Sequence, residues 1–107
     1  HSFPTRRSSD LFFNCTFDNC IFEDLSFFES LFKNCTFENL KTKNIKFINS
    51  EFISTEFYDT ILEINYLKYL SILQSYFDIN SELIFNCCLD NLKVIGSIFN
   101  KQQTWPI

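Results

Sequence analysis

Every fifth residue of this chain is large and apolar over most of its length. Phe12, Phe17, Phe22, Phe27, Phe32, Phe37, Thr42, Phe47, Phe52, Phe57, Leu62, Leu67, Ile72 and Phe77 share one register, and thirteen of these fourteen positions are large and apolar. Nine of the ten from 12 to 57 are Phe, with Thr42 the exception. A period of five is neither the three-and-four spacing of a helical stripe nor the strict alternation of a flat strand. Two residues earlier runs a second, mostly smaller set: Cys15, Cys20, Leu25, Ser30, Cys35, Leu40, Ile45, Ser50, Thr55, Thr60, Asn65, Leu70 and Ser75. Three residues before many of the large positions stands Asn or Asp, at 14, 19, 24, 34, 39, 44, 49 and 59. The small residue and the Phe are two apart, so a short extended segment points both inward. Asn and Asp accept turn and left-handed backbone and can bond nearby amides. Each pentad therefore predicts one straight side followed by a corner.

Composition agrees with a single small domain. In 107 residues there are 15 Phe but one Gly and two Pro, which excludes a disordered linker and a turn-rich small scaffold. No run approaches the ~20 apolar residues of a membrane helix, so no membrane segment is expected in this piece. With no Met even at position 1, the chain is expected to be part of a longer reading frame.

Residues 1–11, HSFPTRRSSDL, bear no relation to the repeat and resemble the conceptual translation of a sequencing adaptor. No apolar stretch or small-residue cleavage site follows, as a targeting signal would need. They are set aside as a non-native segment, and with them go the only His and both Arg. Residues 12–107 then carry 7 Lys against 12 Asp and Glu, a net charge of −5. A chain without Arg lacks the guanidinium forks that grip phosphate, and its acidic balance argues against direct nucleic-acid binding.

Segments such as Asn14-Cys15-Thr16-Phe17-Asp18 and Asn34-Cys35-Thr36-Phe37-Glu38 resemble the pentapeptide-repeat family, whose pattern centres on Leu or Phe with a small residue two places before. The resemblance covers residues 12–79 and, more loosely, 82–101. It implies an all-β fold, a right-handed four-sided parallel β-helix in which four pentads complete a coil. Residues twenty apart would then stack, giving the ladders Phe12–Phe32–Phe52–Ile72 and Phe17–Phe37–Phe57–Phe77. Thr42 puts a hydroxyl in the core register, so a kink or an internal hydrogen bond is expected there. After Phe77 the register slips by two within 78–83, and Ile84, Leu89, Val94 and Phe99 resume it, with Cys87, Leu92 and Ser97 as small partners. The β-helix is expected to span 12–101, with 102–107 a tail or a truncated cap.

The side chains offer little for catalysis. Without His after residue 11, the Ser-His-Asp and Cys-His arrangements are absent from the repeat, and the one Gly, Gly96, cannot make a phosphate loop. The expectation is a non-enzyme with no cofactor and no metal, since Cys spacings of five, fifteen and fifty-two are not zinc pairs. Cys15, Cys20, Cys35 and Cys87 read as inward-facing small residues, and Cys88 as the outward, reactive one. A disulfide between Cys15 and Cys35 on adjacent coils is conceivable but strained. An odd Cys count fits a reducing compartment, and so a cytoplasmic location. Asn14 and Asn34 lie in N-glycosylation sequons, which matter only in a secretory setting. Lys41, Lys43 and Lys46 form the one basic cluster, and Phe13, Phe28, Ile48 and Ile53 face outward.

The leading functional expectation is a protein-binding or scaffold module that acts through its faces or its open ends, by a protein partner or by self-association. A second reading rests on residues 26–60, which resemble the Phe-rich luminal repeat of the synaptic vesicle glycoprotein 2 transporters, including NCTF at Asn34–Phe37. That resemblance implies a glycosylated luminal or extracellular β-helix of a membrane protein, one that serves as a neurotoxin receptor. A third is a structural rod of a larger toxin or effector.

Overall fold

The computed structural model describes residues 6–103. Among these residues, thirteen strands and no helix wind into a parallel β-solenoid of about four turns. In chain order they are β1 (Arg6–Ser8), β2 (Leu11–Phe13), β3 (Thr16–Asp18), β4 (Ile21–Phe28), β5 (Leu31–Lys33) and β6 (Thr36–Glu38). Then follow β7 (Lys41–Ile53), β8 (Glu56–Tyr58), β9 (Ile61–Leu73), β10 (Tyr76–Phe77), β11 (Glu82–Phe85), β12 (Asp90–Ile95) and β13 (Ile98–Phe99). One sheet, β13-β10-β8-β6-β3, forms a single side of the coil, while the other wraps three sides through the long strands β7 and β9.

The corners are where the Asn and Asp spacing puts them. Asn14, Asn19, Asp24, Asn34, Asn39, Asn44, Asn49 and Asp59 all have positive φ, between 48° and 56°. Asn91 is a further such corner. Ser9, Glu29, Ser54, Tyr69 and Gln74 complete the series with residue types less suited to it, and Gly96, the one glycine, takes φ 67° above Gln74 in the last coil. Several corner side chains bond up the stack. Asn39 Nδ2 donates to Asn19 Oδ1 at 2.5 Å, and Asn44 Nδ2 to Asp24 Oδ1 at 2.9 Å.

Both expected ladders are present. Phe12, Phe32, Phe52 and Ile72 pair in sequence, as do Phe17, Phe37, Phe57 and Phe77. Along the second, ring centroids are 4.7, 5.1 and 4.2 Å apart with the planes within 9°. Between sides the rings meet edge-on, as for Phe52 and Phe57 at 5.5 Å and 68°. Offset stacks and edge-to-face contacts each add about 0.5–1.5 kcal/mol beyond the burial itself. The small inward set serves the backbone. Ser50 Oγ accepts from the Ser30 amide at 3.2 Å and donates to the carbonyls of Ile48 and Phe27. Thr60, Ser75 and Ser97 accept in the same way from Leu40, Thr55 and Ser75. No buried side-chain N or O among the described residues lacks a partner.

The irregularities depart from the sequence reading in detail. Thr42 is half-buried rather than internal: its hydroxyl donates to Ile61 O at 3.1 Å in an exposed bond and accepts from Glu63 N at 3.0 Å, and β7 runs through it unbroken. Asn65 does not enter the core as its register position implies. A bulge pairs Ile45 with Ile64, fully buried, and leaves Asn65 half-buried with Oδ1 accepting from Ile45 N. Burying an amide side chain costs free energy that a neighbouring Ile avoids. In the last coil, Leu83 rather than Ile84 turns inward, since Leu83 pairs with Leu62 and Ile84 lies opposite Glu63. The two extra residues are therefore split. One precedes Leu83, where Asp78 Oδ1 accepts from Asn80 N and Ser81 Oγ, and the second precedes Asp90, which pairs with Lys68. From Leu92 onward the resumed register holds, with Val94 on Ile72 and Phe99 on Phe77.

The coil also reaches back across residue 11. β1 pairs with β4, Ser9 N donates to Phe28 O at 2.7 Å, and Leu31 N donates to Asp10 O at 2.9 Å. Backbone pairing is indifferent to side chains, so an open solenoid edge accepts an extended segment whatever its sequence. Of the expected tail, Gln103 Oε1 accepts from Leu83 N at 3.1 Å, while 104–107 lie outside the described residues.

Candidate functional site

The outward residues sort onto four faces. The first carries β2, β5 and the ends of β7, β9 and β12. One outward column there reads Phe13, Lys33, Ile53, Leu73 and Ile95, and a parallel one Leu11, Leu31, Glu51, Ser71 and Lys93. Leu11, Phe13 and Ile95 are 63%, 49% and 56% exposed, and Leu31, Ile53 and Leu73 are half-buried. The face is therefore largely apolar, interrupted by Lys33, Glu51, Ser71 and Lys93. Only Phe13 and Ile53 were legible as part of it, because the other members became neighbours only once the coil length and the slip were known.

The second face, β3-β6-β8-β10-β13, presents Asp18, Glu38 and Glu56 with Tyr58 and Tyr76, and no lysine. Tyr58 Oη donates to Glu56 Oε1 at 3.0 Å, and that bond to a carboxylate is the main reason its pKa is raised. The tyrosine rings stand 5.8 Å apart.

The remaining residues divide over the other two faces. Lys41 and Lys43 lie together beside Ile21 and Glu23, whereas Lys46 stands beyond the Asn44 corner, between Ser26 and Tyr66. The basic cluster read from the sequence is thus two separate patches. Phe28 and Ile48 adjoin on the face of Lys46, as their spacing of twenty requires, but both are half-buried, because flanking strands cover their flanks. The apolar set Phe13, Phe28, Ile48 and Ile53 is accordingly split between two faces rather than forming one patch.

All five cysteines are free thiols. Cys20 and Cys35 are buried, Cys15 and Cys87 partly so, and Cys88 is exposed. Cys35 Sγ donates to the carbonyls of Phe12 and Lys33, and burial pushes its pKa up, as it does for Cys87. Asn14 and Asn34 stand exposed at stacked corners. Among the described residues no group of His, Cys, Asp and Glu could hold a metal ion, and no helix is long and apolar enough to cross a membrane.

The molecule measures 32 × 28 × 22 Å, so each face is about as tall as it is wide and suits a modest contact. The chain matches no protein-family model and no curated protein.

Proposed function

We propose that this chain is a non-enzymatic interaction module of the pentapeptide-repeat type, acting through its apolar first face. The observation that carries the reading is the column Phe13, Ile53, Leu73 and Ile95, interrupted by Lys33 and flanked by Leu11 and Leu31, on a stack of five strands. Apolar area of this kind contributes about 25 cal/mol per Å² when covered, though ordering costs keep area from converting directly into affinity. The occupant is a protein surface, either a second copy or a partner. The net charge and the lysine-free second face disfavour nucleic acid, and the odd number of cysteines favours a reducing, cytoplasmic setting.

Sedimentation velocity over a hundredfold concentration range tests this. The expected outcome is reversible self-association that Ile53→Asp abolishes and that charge reversal at Lys41 and Lys43, on the opposite face, leaves intact. A chain monomeric at every concentration would remove the main support for the reading.

A further inference from the structure

Among the left-handed corners of the described residues, Tyr69 is the one aromatic; the others are Asn, Asp, Ser, Glu, Gln and Gly. Its φ of 62° is costly for a bulky side chain, and such strain persists only where the surroundings hold it, most often at a functional site. The ring is 49% exposed. Below and above it on the same corner stand Asn49 and Asn91, with Glu29 one coil further down.

This corner is one wall of a shallow groove of about 640 Å³ that runs along the solenoid axis over four coils. Leu31, Glu51, Ser71 and Lys93 form the other wall. The floor includes Ser50, whose hydroxyl is engaged by the backbone.

The chemistry of the walls narrows the occupant. Two carboxylates against one ammonium disfavour an anion. Only two leucines line the groove, which is too little for an apolar ligand. A peptide strand finds no free edge, because the amides of Glu29, Leu31 and Glu51 already donate to Ile48, Asp10 and Ser30 carbonyls. The exposed tyrosine ring beside asparagines, serines and carboxylates matches a neutral, hydroxyl-rich ligand, with a flat C–H face for the ring and hydroxyls for the amides and carboxylates around it. Successive coils rise by ~4.8 Å, close to the length of one pyranose in an extended chain, so Asn49, Tyr69 and Asn91 would meet successive sugars.

We propose that this groove binds a linear neutral oligosaccharide along the solenoid axis, with one ring stacked on Tyr69 and its neighbours hydrogen-bonded by Asn49 and Asn91. The groove borders the apolar face proposed above and shares Leu31, Glu51, Ser71 and Lys93 with it, but its ligand contacts on Asn49, Tyr69 and Asn91 lie at the corner beyond that face.

The test is an amide chemical-shift titration of the full chain with cellohexaose and with chitohexaose, glucose serving as the monomer control. At least one hexaose should give saturable shifts centred on residues 29–31, 49–51, 69–71 and 91–93. Tyr69→Asn, which suits the left-handed corner, should fold with an equal or higher melting temperature yet bind roughly tenfold more weakly. Tyr69→Phe keeps the ring and should stay within about threefold of the parent. No saturable shift with either hexaose at millimolar concentration would overturn the proposal. So would undiminished binding by Tyr69→Asn, or equal losses in the Asn and Phe variants.

Discussion

Phe37 lies between the rings of Phe17 and Phe57 and is 1% exposed, so it has no face left for water. Phe37→Ala should cost about 3–5 kcal/mol, because neighbours held by backbone ladders cannot collapse into the void. Phe28→Ser, on an outer face, should cost much less, and equal shifts in urea melts would contradict the inward and outward assignment. Cys35 adds a pH dependence. Burial raises its folded pKa above the unfolded value, so its contribution to stability is complete below the unfolded thiol pKa and is lost as pH rises through the folded one. Stability should therefore fall above about pH 8.5, and Cys35→Ala should flatten that decline in melts taken from pH 7 to 10. Among single residues, the inward Phe and the corner Asn were the most legible, since one needs volume and the other a left-handed backbone. Tyr69 was not, because nothing in a tyrosine announces positive φ.

At the level of strands and corners, the short sides are fixed less by propensity than by the hydroxyls that close them. Ser75 Oγ accepts from the amide of Thr55, a fully buried residue. Ser75→Ala strands that amide and should cost about 1–3 kcal/mol, whereas Thr16→Ala, exposed on β3, should stay within about 0.5 kcal/mol. Equal effects in thermal melts would show that the hydroxyl column is incidental. The sequence made the straight sides plain because inward residues two apart recur so often. It hid the bulge at Ile64 and Asn65, where two adjacent residues compete for one inward place and packing decides. It also hid the position of the inserted residues. The spacing between Phe77 and Phe99 gives their number, while only the pairing of Leu83 with Leu62 shows where the first one falls.

For the molecule as a whole, each coil touches only its neighbours, so stability accumulates step by step along the axis. Face-level function was correspondingly hard to read, since a face gathers residues from five strands and every slip shifts its membership. The stacked phenylalanines carry a further consequence, for folding. A segment that docks one whole coil out of place still sets Phe on Phe, so the regular part of the repeat leaves many threadings close in energy. Thr42, the Ile64–Asn65 bulge and the two added residues of the last coil each occur once, and one threading satisfies them all. They act as landmarks in an otherwise degenerate ladder. Thr42→Phe erases one of them: it strands the Glu63 amide and should cost about 1–3 kcal/mol, while refolding followed by stopped-flow tyrosine fluorescence should also gain a slower phase from misthreaded chains. A single unchanged phase would mean that the count is kept elsewhere. The faults in the repeat are what number its coils.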